Sequence, residues 1–417
     1  MGKNLTFIGL YIANALGCSI YSVLAPYLPK EAKSKDLSST MTGIILCGYP
    51  VTAFLSSIIL ADYVGKLGKR RVLLLGALAE FFATLGFSFL PEFDRDSFII
   101  FGIGLRLLQG LGAGFMGTAI FAIIASEFAD QLQTYIGILQ TSNAVGFMAG
   151  PFGASLLFSI NGFSLIFQVY AVIFFLLMPF VYFSIPADSP YKENQSPVSS
   201  FQILKQRRVQ VYAGALIAGY STLCYLSPVY SLHLEDFGVA ESLFGIIFGL
   251  PTITYTMTIG LVTKSKSTKG MIMVYGLIVL TLSCFLAGPW EYTMLPDNVY
   301  ISVTGVLLIG VGLCAVQLAA IPEMIEKSQS IFSEYPKEQI SDVCSGIASA
   351  LAFFAELYAP PLSGFLADQV GFSNSEAILG GAFILTTAII WLAVRSDAPI
   401  KTDKLLPDVE LNDIQED

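Results

Sequence analysis

About twelve times along its 417 residues, the chain enters an apolar stretch long enough to cross a bilayer, which takes roughly 20 residues of helix. These stretches run over 5–29, 40–61, 72–90, 97–125, 132–160 and 163–185, then 209–232, 242–263, 270–289, 298–322, 343–367 and 374–395. Only 13% of the residues are charged, against about a quarter in a water-soluble domain, so a soluble chain of this length could not cover its surface. The expected fold is an all-α membrane protein. Most connections are short; 186–208, 326–342 and the tail beyond Arg395 are the exceptions.

The basic residues orient these stretches. With Arg106 set aside, because it lies inside a stretch, alternation puts about 17 Lys and Arg on the side of both termini and about 4 on the other. The crowded side includes the 66–71 cluster and the 192–208 segment; Lys30, Lys33, Lys35 and Arg95 lie opposite. The positive-inside rule then places both termini in the cytoplasm. The first stretch has no clear cleavage site and is expected to stay as a helix. The net charge of -9 is read as solvated loops and an acidic tail.

Several function classes drop out. The six cysteines are scattered without a CxxC pair and His233 stands alone, so no metal site or cofactor is expected. No nucleophile–base pair, phosphate-cradling loop or basic aromatic patch suggests an enzyme or a nucleic-acid binder.

The two halves share one plan. Leu24-Ala25-Pro26 matches Leu226-Ser227-Pro228, Gly43-Ile44-Ile45 matches Gly245-Ile246-Ile247, and Gly150-Pro151 matches Ala359-Pro360, in order and at near-constant offset. Two six-helix bundles of the same orientation are a parallel repeat, a design that carries its solute site between the halves near the midplane. The expected organisation is a first bundle over 1–186, a linker over 187–208, a second bundle over 209–396 and an acidic tail over 397–417.

Ionisable groups inside a membrane cost a few kcal/mol or more and are functional candidates by default. Three qualify: Glu80 in the third stretch, Arg106 in the fourth and Glu356 in the eleventh. Arg106 lies roughly 13 Å into its helix, too deep to reach water at the membrane surface. Its alternatives are a structural donor to nearby carbonyls or the partner of a titrating carboxylate. Desolvation favours a neutral carboxyl, so Glu80 and Glu356 are candidate proton carriers, with a permanently neutral, hydrogen-bonded Glu80 as the other reading. Glu356 sits beside Ala359-Pro360-Pro361, expected as a break. Asn14, Tyr220, Tyr225 and Tyr255 are candidate solute contacts, since aromatic faces hold organic cations. Glu323 follows Pro322 at a helix end, where a gating contact or plain solvation would suit it.

These residues resemble the major facilitator superfamily. Arg106-Leu107-Leu108-Gln109-Gly110-Leu111-Gly112-Ala113 is similar to the family's R-x-x-Q-G-x-G-A, which implies proton transfer at Arg106 and adds Gln109 to the site. The 61–71 loop, with Asp62, Gly68, Lys69 and Arg70, resembles the family's G-x-L-A-D-R-x-G-R-R, although its acidic and basic ends do not align together. Gly146-Phe147-Met148-Ala149-Gly150-Pro151 resembles the antiporter signature G-x-x-x-G-P, where small residues and a proline imply close packing and a bend.

Within the superfamily the likeness is to the vesicular amine and polyamine branch. It rests on residues 25–32, on Ile321-Pro322-Glu323-Met324 and on Leu362-Ser363-Gly364-Phe365-Leu366. Asn14 stands where neurotransmitter members carry an acid. The resemblance implies a monomeric, twelve-helix, proton-coupled antiporter of a small organic cation, working by alternating access in a vesicle, endomembrane or plasma membrane. The open alternatives are a facilitator or importer of sugars, anions or drugs, and a non-transporting receptor.

Overall fold

A computed structural model describes residues 3–61, 63–128, 131–185 and 199–397. Secondary structure among them is helical throughout. The first half contains α1 (Lys3–Ser34), α2 (Ser39–Ala61), the single turn α3 (Val64–Leu67), α4 (Lys69–Phe87), α5 (Arg95–Glu127) and α6 (Leu132–Ser184). The second contains α7 (Ser200–Leu204), α8 (Arg207–Leu226), α9 (Tyr230–Asp236), α10 (Phe244–Thr263), α11 (Lys269–Ala287), α12 (Val299–Ile331), α13 (Lys337–Val370) and α14 (Phe372–Asp397). Eleven of these are long and apolar enough to span a bilayer, and α6 is long enough for two crossings. It breaks at Asn161 (φ -152°, ψ 36°) and Gly162 (φ 65°, ψ -156°), a pair of torsions that glycine permits without a Cβ clash. Twelve crossings result. The expected linker over 187–208 falls partly, and the tail over 397–417 almost wholly, outside the described residues.

Residues 25–32 lie within α1, which runs past the expected end at 29, and Pro26 and Pro29 are buried within the helix. Two further local expectations need correction. Ala359-Pro360-Pro361 does not interrupt α13. Inside a bundle, neighbouring helices and nearby side chains compensate a missing N–H, so proline need not end a span. The connection over 326–342 shrinks to residues 332–336, because α12 and α13 extend past the apolar part of their sequence. Hydropathy marks the membrane, not the helix end.

The internal repeat is visible in individual contacts. The Thr52 hydroxyl donates to the Leu107 carbonyl at 2.6 Å, joining α2 to α5; Thr254 donates to Leu307 at 2.7 Å, joining α10 to α12. A methyl added to Gly112 would stand 2.8 Å from the Gly76 carbonyl oxygen, and one on Gly312 would stand 2.9 Å from that of Gly276. Small residues thus let α4–α5 and α11–α12 approach backbone to backbone, the main source of helix association in lipid.

The halves meet along α2 with α13 and α6 with α10. Here the matched sequence motifs meet across the interface. Gly43 packs on the backbone of Pro360, where a methyl would stand 2.6 Å from the carbonyl carbon. Gly245 packs on Pro151, where it would stand 2.9 Å from the carbonyl carbon.

Polar contacts between the halves cluster at the end opposite the termini. Lys30 pairs with Glu241 and lies 3.7 Å from Glu235, while Lys33 reaches Glu235 at 3.3 Å. Asp368, near the end of α13, accepts from the backbone N–H groups of Ser39 (3.0 Å) and Thr40 (2.8 Å) and from the Thr40 hydroxyl (2.6 Å). It caps the N-terminus of α2 across the interface, where a carboxylate is favoured by the helix dipole. Nearer the termini, α2 exposes Leu55, Ile58 and Ile59 and α10 exposes Met257 and Leu261. The molecule is latched at the far end.

Candidate functional site

Arg106 is 2% exposed, in the interior of the first bundle. Its Nη1 donates to Gln109 Oε1 at 2.7 Å, one helical turn along α5. Its guanidinium lies 5.4 Å from the Tyr21 ring centroid and 5.1 Å from that of Tyr49, and these two rings sit 4.6 Å apart. Each cation–π contact contributes about 0.5–2 kcal/mol, more when dry, which helps offset the cost of burying the charge. The Nε has no hydrogen-bond partner. The R-x-x-Q-G segment therefore does two jobs: Arg106 and Gln109 form the polar group, while Gly110 abuts the Tyr49 backbone and brings α5 close to α2.

Two carboxyls stand within electrostatic reach of that guanidinium. Glu80 on α4 is fully buried beside Gln109 and Gly112, with neither oxygen hydrogen-bonded in regular geometry. It belongs to the α4–α5 seam and not to the space between the halves. Glu356 on α13 is half-buried, comes from the second bundle and reaches toward Tyr21 of the first, with Oε2 lacking a partner. Tyr220 and Cys224 of α8, with Cys18 of α1, lie within its field. A group from each half thus converges on one point.

The other expected contacts divide. Asn14 donates to Ser142 Oγ and to Asn143 Oδ1, both at 2.6 Å, which ties α1 to α6. The Tyr255 hydroxyl donates to Gln317 Oε1 at 2.7 Å, beside Tyr220. Tyr225 points away, into the second bundle, where its hydroxyl lies 2.7 Å from Ser375 Oγ. Among the expected gating groups, Gly146 and Gly150 form the seam of α6 against α1, near Ala15 and Ser19. Glu323 accepts from the Tyr212 hydroxyl at 3.2 Å. Gly68 (φ 93°) separates α3 from α4, which begins at Lys69; Arg70 lies over the Tyr182 ring and donates to the Ile185 carbonyl. Asp62 lies outside the described residues.

Some groups escaped sequence reading. Lys30, Glu235, Glu241 and Asp368 sit near helix ends, where a charge resembles ordinary solvation until its cross-half partner is known. Glu376, 1% exposed in α14 with an unpartnered Oε1, stands at the start of the last apolar stretch, where an acid resembles an interfacial charge. Tyr358 and Ser221, 2.6 Å apart between α13 and α8, carry no sequence signal that separates them from other membrane hydroxyls.

The geometry defines a class: a polytopic helical protein of two similar bundles, with polar groups where they meet and a latch at one end. The sequence profile of the Major Facilitator Superfamily matches residues 7–329, and the chain belongs to that family. It is 25% identical over 377 residues to MFS-type transporter SLC18B1 of Mus musculus, covering 88% of this chain and 81% of the relative. The vesicular acetylcholine transporter of Drosophila melanogaster is 22% identical over 359 residues, 80% of this chain and 57% of the relative. In fold, the chain is similar to a bacterial homolog of the human lysosomal transporter Spinster in an inward-facing, unoccupied conformation. The TM-score is 0.76 at 12% identity, covering 95% of this chain and 98% of that one. The protein is a multi-pass membrane transporter by family.

Proposed function

We propose that the chain exchanges a small organic cation, an amine or polyamine, for protons, and that Glu356 is the group for which the two compete. The observation that carries this reading is the position of Glu356: a carboxyl of the second bundle, one oxygen unpartnered, facing Arg106, Tyr21 and Tyr49 of the first. With both carboxyls ionised, one guanidinium serves Glu80 and Glu356, which leaves room for one more positive charge. A cation held by Glu356 supplies that charge, and so does a proton. The faces of Tyr220 and Tyr255 suit an alkylammonium group beside it. The likeness to a vesicular acetylcholine transporter supports the cationic class.

The cycle follows from the latch. In the state with the far end closed, the cation enters from the side of the termini, expected to be the cytoplasm, and binds ionised Glu356. The bundles then rock about the Gly43–Pro360 and Gly245–Pro151 contacts, and the Lys30, Lys33 and Asp368 contacts part. A proton arriving from the far side neutralises Glu356, the attraction for the cation is lost and the cation leaves. The protonated carrier returns and releases its proton on the first side. Alternating access of this kind matches inverted exposure of one midplane site.

Proteoliposomes loaded at acid pH and diluted into neutral buffer with labelled spermidine test the reading. Uptake driven by the gradient and lost in Glu356→Gln supports it. Uptake that ignores the gradient, or that Glu356→Gln leaves intact, overturns it.

A further inference from the structure

The lipid-facing surface between α11 and α14 is not smooth. It holds a groove of 540 Å³, within the range of small-molecule sites, lined by Val274, Ile278 and Phe285 on one helix and Ile384, Ala388 and Trp391 on the other. From Val274 to Phe285 the groove runs for roughly 16 Å along the helix, about half of a 30 Å hydrocarbon core. The groove is thus about as long as one leaflet is deep. An apolar slot of that length in a lipid-facing wall fits an acyl chain, and this end of the groove decides what the chain is attached to.

The end toward the termini is basic. Arg395 stands one helical turn beyond Trp391, with its guanidinium 5.3 Å from the indole centroid. Gly270 is so close to Val394 that an added methyl would stand 2.6 Å from its Cγ1, which brings the start of α11 beside the end of α14. Lys264, Lys266 and Lys269 are exposed at that start. Lys269 is engaged by Glu326 at 2.9 Å; the flanking lysines and Arg395 face the same surface of the membrane. Tryptophan favours the headgroup level, and a basic cluster at the end of a spanning helix attracts anionic headgroups. The described acids of α12 at this end, Glu326 and Glu323, are engaged by Lys269 and by the Tyr212 hydroxyl.

The geometry points to a binding site for one anionic phospholipid, its acyl chain in the α11–α14 groove and its phosphate at Arg395. The site is on the outer wall of the second bundle and contains none of the residues assigned to cation exchange. Its occupant would brace α14 against α11 without touching the midplane.

Native mass spectrometry of the purified full-length chain, titrated with dioleoyl phosphatidylglycerol or dioleoyl phosphatidylcholine after delipidation, reads the site directly. One phosphatidylglycerol retained per chain, in preference to phosphatidylcholine, is the expected result. Arg395→Gln, a surface change that leaves the groove intact, is expected to reduce that preference roughly fivefold. Ala388→Trp, which fills the groove, is expected to reduce retention of both lipids. Equal retention of the two lipids by the unaltered chain, or a preference indifferent to both substitutions, overturns the proposal. So does a dimer that Ala388→Trp disrupts, because a second copy would then occupy the groove.

Discussion

Replacing Glu356 with glutamine keeps the side-chain shape and removes the charge, which makes it the cleanest change at the residue scale. A charged hydrogen bond contributes about 1.5–3 kcal/mol, so the loss should weaken cation binding by roughly 10- to 100-fold, measured by calorimetry with spermidine. Arg106 separates shape from charge differently. Arg106→Lys retains the cation but loses the planar contact with Tyr21 and Tyr49 and the Gln109 geometry. We expect about 1–2 kcal/mol less stability, read as a lower thermal midpoint. Arg106→Leu leaves Glu80 buried without its cation, a change that typically costs 3–5 kcal/mol, so that variant should be clearly the less stable of the two. Both groups were legible in the sequence because a charge inside an apolar stretch stands out. Their convergence was not: no spacing rule links residue 356 to residues 21 and 106, which come together only when the bundles pack. Helix-end charges were illegible for the opposite reason, since Lys30 and Asp368 look solvated until a partner appears.

At the scale of elements, the interface rests on close backbone approach at two related points. Gly43→Val and Gly245→Val would each force a side chain into a proline carbonyl across the halves. Overpacking of this kind costs about 1–3 kcal/mol, and here the cost falls on the state closed at the far end. Spin labels on Ser34 and Gly238 should show the far-end distance distribution broadening or lengthening in both variants. Gly17→Ala, where an added methyl meets open space, should leave it unchanged. The helices themselves were well marked by hydropathy, and the repeat by its matched Gly and Pro. Their ends were not, because α12 continues past Pro322 in polar sequence and α1 runs through Pro26 and Pro29. Packing decides there, and packing is not written in a window of one helix. The repeat also shows where symmetry stops: the contact held by Thr52 and Leu107 recurs at Thr254 and Leu307, yet Arg106 has only Val306 at the matching offset. Structure is duplicated between the halves, and charge is not.

For the whole molecule, the balance between open states depends on the far-end latch. The ion pairs of Lys30 and Lys33 are a third to a half exposed, and pairs of that kind contribute about 0–1 kcal/mol. Asp368 closes three hydrogen bonds on the start of α2, and a helix cap contributes about 0.5–2 kcal/mol. Asp368→Ala should therefore shift the population toward far-end opening more than Lys30→Gln does, checked with the same spin-label pair. An equal or reversed order would mean that the cap does not hold the latch. What unites latch, hinge contacts and midplane site is a single claim: one carboxyl, offered to each side in turn, carries either a proton or an organic cation. Proton release from purified protein in weakly buffered, mildly acidic solution, where Glu356 carries its proton, counted as spermidine is added, tests that claim most directly. The account predicts protons released in proportion to spermidine bound, and no such release from Glu356→Gln. Saturable spermidine binding with no proton release from the unaltered protein would contradict it.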